Sequence, residues 1–188
     1  FLLKNMKMIF SDLVIVINHK QEYQGENKLE FFSKKIIHRD NIGYDGGAYQ
    51  DVILNHLNDI ELKKYDELVL FNDTFFAPLC SWNEIFGKLS LIDVDFWGLS
   101  RSLKTDGDVH IGQIDAHVQA YFIVIRKKMF TQKSFLSFWQ QMDIASEYYD
   151  AIKNFEIAFT NFFVQRGFKY TSWIDVVRAE SLLKPGEN

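Results

Sequence analysis

The chain has 188 residues, the size of one domain, and its 47% hydrophobic and 24% charged residues are typical of a globular protein. The net charge of -4 argues against a nucleic-acid partner. Cys80 is the only cysteine, so no disulfide can form within the chain, and no apolar run is long enough to span a bilayer. A reducing compartment, the cytoplasm, is therefore expected.

The first part of the sequence predicts helices and strands in alternation. Apolar residues at helical spacing indicate helices, and β-branched runs indicate buried strands. In chain order these are a helix at 1–10, a strand at 13–17, a polar loop at 20–28, a strand at 35–38, a helix at 48–57 and a strand at 67–71. We expect the last two strands and the helix between them to form a right-handed βαβ unit with parallel strands.

The second part continues the α/β pattern. The predicted elements are a helix at 82–89, a strand at 95–99, a loop at 101–116, a strand at 118–125, helices at 130–142 and 151–165, and a strand at 168–173. Gly167 is expected to end the last helix. The apolar run at 118–125 indicates a central strand.

A glycine-rich polar turn precedes the second predicted helix, and residues 39–49 read RDNIGYDGGAY. Glycines let the backbone approach a ligand, and the helix amino terminus that follows favours negative charge. We expect Arg39 to pair with a phosphate and Gly43 to lie against a nucleotide. Asn41 and Asp45 can hydrogen-bond a base or ribose. The alternative is that Gly43 only makes a turn and that Asp45 only caps the helix.

An Asn-Asp-Thr sequence follows the strand predicted at 67–71. A carboxylate at the carboxyl end of a strand suits a hard, oxygen-liganded cation that bridges a diphosphate. Asp73 is therefore the candidate ligand for a divalent cation, Mn²⁺ or Mg²⁺, and a candidate contact for the donor nucleotide. The alternative is that residues 72–74 form a strand-ending Asx turn, which is a frequent structure.

Four side chains in the second part are candidates for catalysis and sugar binding. Glu156 has apolar neighbours, so its carboxylate is a candidate general base with a raised pKa. The alternative is a first-turn Glu that the helix dipole favours. His117 and Gln119 alternate onto one face of a strand, which can border a cleft. Trp97 precedes Gly98 near a strand end and is a candidate sugar contact, whereas the other tryptophans are expected in the core.

Taken together, these segments resemble the rhamnan synthesis protein F family, bacterial glycosyltransferases of cell-wall and lipopolysaccharide polysaccharides. The resemblance extends over most of the chain, and it is the order of the segments that is specific. The matching segments are Arg39-x-Asn41-x-Gly43-Tyr44-Asp45-x-Gly47-Ala48-Tyr49, Tyr65 to Pro78, Asp95 to Leu99, His117 to Phe122, and Phe155-Glu156 with Arg166-Gly167-Phe168.

The resemblance implies a GT-A-like, Rossmann-like α/β fold, with a mostly parallel central sheet flanked by helices. It implies a single domain over residues 1–188, with a nucleotide-binding half at 1–80 and an acceptor and catalytic half at 81–188. Because the chain begins at Phe1 and not at Met, we expect a piece of a longer protein that lacks the first strand of this fold.

The resemblance also implies an inverting transfer from a nucleoside-diphosphate sugar, with dTDP-rhamnose as the expected donor and a glycan or lipid-linked acceptor. On this template Asn18 falls near the nucleobase, Asp73 in the metal motif and Glu156 at the general base. Asn72 stands where that motif usually has an Asp, which leaves metal dependence open. Such chemistry implies a place at the inner face of the membrane, with peripheral association.

A different class of function is a catalytically inactive nucleotide- or carbohydrate-binding module of a polysaccharide-assembly protein. The incomplete metal motif and the missing strand both allow it. A phosphatase of the haloacid dehalogenase type also has an Asp at a strand end. It needs a second Asp two residues later, and Phe75 stands at that place.

Overall fold

The computed structural model describes residues 2–19, 25–75, 80–108, 110–176 and 178. Within them the chain is a mixed α/β fold, in which helices accompany a four-stranded sheet and three two-stranded pairs. No helix in this part of the chain is long and apolar enough to cross a membrane.

The strands predicted in the first part of the chain are confirmed. The elements are α1 (Leu2–Lys7), β1 (Val14–Ile17), α2 (Glu26–Leu29), β2 (Lys35–His38), α3 (Tyr44–Asp51), α4 (Asp59–Leu62) and β3 (Glu67–Phe71). A π-helical segment, Val52–His56, continues α3 without a break. Of the loop predicted at 20–28, residues 20–24 lie outside the described residues.

In the second part the strands are shorter and more numerous than predicted. The strands are β4 (Phe96–Gly98), β5 (Arg101–Ser102), β6 (Thr105–Asp108), β7 (Gly112–Ile114), β8 (His117–Val118), β9 (Phe122–Arg126) and β10 (Tyr170–Ser172). The helices are α5 (Trp82–Ser90), α6 (Lys127–Phe130), α7 (Lys133–Gln141), α8 (Tyr148–Ala151) and α9 (Ala158–Val164), with a π-helical segment, Ile152–Ile157, joining the last two.

The main sheet is mixed, which corrects the prediction of a mostly parallel sheet. Its order is β10-β4-β9-β3; β9 runs antiparallel to both β4 and β3, and β10 is parallel to β4. β1 and β2 form a separate parallel pair. The strands of the expected βαβ unit, β2 and β3, are therefore not hydrogen-bonded neighbours.

The antiparallel direction of β9 has a local cause. β5 pairs with β8 and β6 pairs with β7, both antiparallel, so the chain from β4 to β9 is one long irregular hairpin. A hairpin returns its second strand antiparallel to the first. The segment predicted as a loop at 101–116 therefore forms the outer part of this hairpin, and the strand predicted at 118–125 divides into β8 and β9.

Two helices begin earlier than the sequence predicts. α3 begins at Tyr44 after Gly43, whose φ of 78° is in the left-handed region that glycine tolerates. Asp45 is thus in the first turn, and the prediction that it caps the helix is wrong. The last long helix begins at Tyr148, so Glu156 lies in its middle, and the first-turn alternative for that residue is wrong as well.

The core lies on both faces of the main sheet, with β9 between its two halves. Phe122 and Val124 pack into one cluster and Ile123 and Ile125 into the other, and all four are 0% exposed. A strand that is apolar at every position is typical of burial on both faces. The central strand predicted from the apolar run at 118–125 is confirmed in its carboxyl-terminal part, β9. The strands β3 and β4 pair with the two edges of β9.

Candidate functional site

Arg39 holds the polar turn before α3. Its Nη1 donates to Oδ1 of Asn18 at 2.8 Å, and its Nη2 donates to the carbonyl of Ile42 at 2.7 Å. Its Nε lies 3.6 Å from Oδ2 of Asp51. Arg39 thus fixes the carboxyl end of β1 against the start of α3. Asn41 is exposed at the tip of the same turn. A phosphate partner for Arg39 and a base or ribose partner for Asn41 stay predictions.

Asp45 and Asn72 join this turn to the carboxyl end of β3. Nδ2 of Asn72 donates to Oδ2 of Asp45 at 2.7 Å. The Oδ1 of Asn72 accepts hydrogen bonds from the backbone N–H and the hydroxyl of Thr74, at 3.1 and 2.8 Å. The Asx turn considered as an alternative is therefore present, but it is also the support for the Asp45 carboxylate. Asp73 is exposed next to it.

Tyr49 belongs to this group, although sequence reasoning did not select it as a site residue. Its hydroxyl is buried, and it has no hydrogen-bond partner in the described part of the chain. Burial raises the pKa of the Tyr49 hydroxyl well above its usual value, and the carboxylates of Asp45 and Asp73 raise it further. The hydroxyl is thus a neutral donor beside two acids. The spacing of Asp45 and Tyr49, one helical turn apart, is the signal that could have found it.

Asp45 and Asp73 are the carboxylates that this edge offers to a cation. No group of three or more His, Cys, Asp or Glu side chains that could hold a metal occurs among the described residues. Mg²⁺ is usually held by one or two carboxylates together with substrate phosphates. Within the described residues, a cation at Asp45 and Asp73 would therefore need further ligands from a bound diphosphate, and such a cation stays a prediction.

Glu156 and His117 form a second polar group. Oε1 of Glu156 lies 3.1 Å from Nε2 of His117, and Oε2 accepts a hydrogen bond from the backbone N–H of Ala120 at 3.0 Å. Glu156 lies on the π-helical segment Ile152–Ile157, a rare geometry that is frequent at functional sites. The carboxylate thus points away from its apolar sequence neighbours and toward the hairpin.

The protonation of His117 follows from its two partners. Nδ1 lies 2.7 Å from the carbonyl of Asp115, which can only accept a hydrogen bond, so Nδ1 carries a proton. Burial lowers the pKa of His117, but the hydrogen bonds to Glu156 and to the Asp115 carbonyl outweigh it, and the net pKa is raised. A protonated ring then donates from both nitrogens and offsets the charge of Glu156.

The two polar groups are connected through neighbouring residues of the hairpin. The backbone N–H of Asn72 donates to the carbonyl of Tyr121 at 3.2 Å, and the preceding residue, Ala120, donates to Glu156. The rings of Tyr49 and Phe155 are also in contact, with centroids 5.6 Å apart. The acids at the end of β3 and the Glu156–His117 pair are therefore linked through two consecutive residues of the hairpin, Ala120 and Tyr121.

The remaining two candidates differ in their positions. Oε1 of Gln119 accepts a hydrogen bond from the hydroxyl of Ser100, which also contacts Tyr121, so Gln119 is tied to the hairpin beside this site. Among the hydrogen bonds of the described residues, Gln119 and His117 have no partner in common. Trp97 is 0% exposed and packs against Phe86 and Phe122 in the core. The prediction that Trp97 contacts a sugar is wrong, because its ring does not reach the surface.

Gly46 is required by packing, and we expect Gly46→Ala to destabilise the fold by about 1–3 kcal/mol. A β-carbon at this position would lie 2.8 Å from Cβ of Phe155. Gly87, on α5, is the matched control, because a β-carbon there meets nothing within 4 Å. We expect Gly87→Ala to stabilise the fold by about 0.5–1 kcal/mol, as for a helical glycine. Urea unfolding of both variants measures the difference; equal effects would contradict this account of Gly46.

The His117–Glu156 pair predicts a pH-dependent stability. A raised folded-state pKa contributes stability that is complete below the ordinary histidine pKa, about 6.5, and that is lost as the pH rises through the folded-state value. We expect the free energy of unfolding to fall over this window in the native chain, and to fall less in His117→Gln. Urea unfolding at a series of pH values tests this. If the free energy of unfolding had the same pH dependence in both proteins, the His117–Glu156 pair would not be its cause.

Comparison with known proteins places most of the chain in one family. The family model described as rhamnan synthesis protein F matches residues 13–186. The chain is also similar to the uncharacterized protein y4gN of Sinorhizobium fredii, with 29% identity over 177 residues. The match covers 94% of this chain and 43% of that protein, so the chain spans less than half of the relative's length. No solved structure matches the chain.

Proposed function

We propose, from the premise that this chain belongs to the rhamnan synthesis protein F family, that it transfers a sugar from a nucleoside-diphosphate donor to a growing polysaccharide. Membership ties the chain to rhamnan and polysaccharide synthesis. Glycosyl transfer is the step of such a synthesis that needs a nucleotide site and a carboxylate base in one cleft.

The observation that supports the proposal is the connection between the two polar groups. Residues 72 and 121 share a hydrogen bond, and residues 120 and 156 share another, so the acids near β3 and the Glu156–His117 pair are linked through two consecutive residues of the hairpin. Ligands of α/β proteins bind outside the carboxyl ends of the strands, which is where Asn18 and Asp73 lie. A donor diphosphate and an acceptor hydroxyl can thus be presented to one another.

The mechanism assigns one role to each group. Glu156 accepts the proton of the acceptor hydroxyl as its oxygen attacks the anomeric carbon. The bond from that carbon to the diphosphate breaks, the nucleoside diphosphate leaves with the electron pair, and the anomeric centre is inverted. His117 orients Glu156. A cation held by Asp45 and Asp73 would offset the charge on the leaving diphosphate.

Substrate identity forms the second part of the proposal. The donor is dTDP-rhamnose, and the acceptor is a glycan or lipid-linked saccharide, with Gln119 at the acceptor side. Asn18, Arg39, Asn41 and Gly43 surround the nucleotide. The reaction takes place in the cytoplasm at the inner face of the membrane, since lipid-linked acceptors lie there.

One observation favours the catalytically inactive binding module as a second candidate. Both oxygens of Glu156 already have hydrogen-bond partners, Nε2 of His117 and the N–H of Ala120. A carboxylate held in this way can serve to fix the hairpin against the last helix. In that case the chain would bind a nucleotide sugar without breaking it.

Asp73→Ala tests the donor site. We expect the affinity for dTDP-rhamnose to fall about tenfold or more in the presence of Mn²⁺, which corresponds to about 1.4 kcal/mol. The reason is that the variant loses one of two carboxylates available to a cation. Calorimetric titration with Mn²⁺ and with EDTA measures the effect, and Asp143→Ala, at an exposed acid elsewhere, is the control. Equal affinity of Asp73→Ala and the native chain in Mn²⁺ would refute the metal role.

A further inference from the structure

A second cavity lies on the face of α3 that is turned away from the acids at the end of β3. Its volume is about 350 Å³, within the ~300–1,000 Å³ of usual small-molecule sites. It is lined by three residues of the polar turn, by five residues of α3 and its π-helical continuation, and by Ile144, which follows α7. We call this cavity the outer pocket.

The helix α3 separates the outer pocket from the larger cavity that contains the candidate donor site. Gly47, Gln50 and Leu54 line the outer pocket, and their spacings of three and four residues place them on one face of the helix. Asp45 and Tyr49 line the larger cavity instead, together with the carboxyl end of β3. The outer pocket is therefore a site of its own, which neither the sequence analysis nor the proposed mechanism uses.

Three apolar side chains at the outer pocket are exposed to solvent. Ile42 is 58% exposed, Ile144 is 47% exposed and Leu54 is 36% exposed. Ile144 lies against the polar turn, because a β-carbon on Gly43 would be 3.1 Å from Cγ2 of Ile144. Leu54 belongs to the π-helical segment Val52–His56, a rare geometry that is frequent at functional sites. Single exposed apolar residues are normal, whereas a group of them at one cavity is typical of a binding site.

Two side-chain amides at the outer pocket have fixed orientations. Nε2 of Gln50 donates to the carbonyls of Trp139 and Met142, at 2.6 and 3.0 Å. Nδ2 of Asn55 donates to Oδ1 of Asp51 at 2.8 Å. Carbonyl and carboxylate oxygens only accept hydrogen bonds, so these amide nitrogens must face them. The amide oxygens of Gln50 and Asn55 have no donor among the described residues, and they are left to accept hydrogen bonds from a ligand.

The charges at the outer pocket disfavour an anion. Arg39 is the cation among the described residues that line it, while Asp40 and Asp51 are acids. The guanidinium is already held by Asn18, by the carbonyl of Ile42 and by Asp51. A phosphate or an anionic membrane surface would therefore meet net negative charge. A neutral ligand with hydroxyl groups fits the amide and carboxylate oxygens, since these groups accept hydrogen bonds.

We infer that the outer pocket binds a deoxyhexose residue of the polysaccharide chain. Rhamnose, the unit of a rhamnan, has a methyl group where most hexoses have a hydroxymethyl group, so it is apolar at one end and carries hydroxyls elsewhere. The methyl group packs against Ile42, Leu54 and Ile144, and the hydroxyls donate to Gln50 and Asn55. The inference rests on the rhamnan chemistry of the proposed function and does not depend on the transfer step.

An NMR titration of the chain with methyl α-L-rhamnopyranoside tests the inference. We expect saturable shifts of the side-chain amides of Gln50 and Asn55 and of the backbone amide of Gly47. Methyl α-L-mannopyranoside differs only by a hydroxyl on the methyl carbon. We expect it to bind at least about fivefold more weakly, because apolar side chains would have to desolvate that hydroxyl.

A variant of the apolar wall gives a second readout. We expect Leu54→Ala to weaken rhamnoside binding about tenfold, because apolar contacts in a ligand pocket contribute about that factor. Leu54 is exposed, so its truncation should not unfold the chain. Leu91→Ala is the matched control, because Leu91 is 87% exposed and follows α5, outside the residues that line the outer pocket. Its affinity for the rhamnoside should equal that of the native chain.

Several results would overturn the inference. Absent shifts, equal affinities for the two sugars, or the same shifts with inorganic phosphate would mean that the outer pocket does not select a deoxyhexose. Shifts confined to the amides of Asp45 and Asn72 would mean that the sugar binds at the donor site. Shifts of the pocket amides with protein concentration, without sugar, would mean that a second copy covers the pocket. A chain that binds the rhamnoside in the outer pocket but cleaves no donor would contradict only the proposed transfer.

Discussion

Glu156→Gln is expected to lower turnover by about 10²–10⁴-fold while leaving donor affinity unchanged. The amide keeps the shape of the side chain and can still accept the N–H of Ala120, but it cannot take a proton from the acceptor. In the proposed function the donor binds at the other polar group, around Asp45 and Asp73, so we expect its affinity to stay unchanged. Steady-state kinetics and calorimetric titration of the same preparation measure the two quantities.

The control for this variant is Glu147→Gln. Glu147 is exposed and precedes the same helix without making a side-chain capping bond, so its turnover should equal that of the native chain. Full turnover in Glu156→Gln would mean that the base is elsewhere. Asp115, whose carbonyl contacts His117, would then be the next candidate.

Phe159→Ala is expected to destabilise the fold by about 3–5 kcal/mol. Phe159 is 0% exposed, and its ring contacts those of Phe96, Phe138 and Phe163 at centroid distances of 5.5, 5.3 and 4.9 Å. Truncation removes contacts on several sides and leaves a cavity between α7, α9 and the sheet. Urea unfolding gives the change in the free energy of unfolding.

Val164→Ala, on the same helix, is the matched control for Phe159→Ala. Val164 is 43% exposed, and surface substitutions usually change stability by less than about 0.5 kcal/mol. Similar losses in the two variants would show that the helix does not pack on the sheet as described. The site around Glu156 depends on this packing, because Glu156 and Phe159 lie on one continuous helix.

The sequence predicted the strands better than their pairing. Apolar runs identified β1, β2, β3 and β9, because burial on both faces leaves a local signature. The direction of β9 depends on the long hairpin that begins at β4. The outer part of this hairpin, at 101–116, is polar, and its sequence therefore resembles that of an exposed loop. The separation of β1 from β3 leaves no local trace either, since an edge strand and a central strand can share one sequence.

The sequence selected individual candidate residues for the site but not the contacts between them. Asp45 and Asn72 are 27 residues apart, and His117 and Glu156 are 39 residues apart, so no spacing rule links them. The prediction for Trp97 was wrong because a tryptophan next to a glycine gives the same sequence pattern in a buried core and at the rim of a cleft. Tyr49, whose buried hydroxyl lies near Asp45 and Asp73, was not selected, although its helical spacing from Asp45 was visible.

Release of free nucleoside diphosphate is the most direct test of the central claim. The chain would be incubated with dTDP-rhamnose, and in parallel with UDP- and GDP-sugars, each with and without Mn²⁺, and the nucleotide products separated by chromatography. In the absence of acceptor, we expect slow release of nucleoside diphosphate from one of the donors, and slower release by the Glu156→Gln variant. A donor that binds the chain but is not cleaved in any condition would contradict glycosyl transfer and would identify the chain as a binding module.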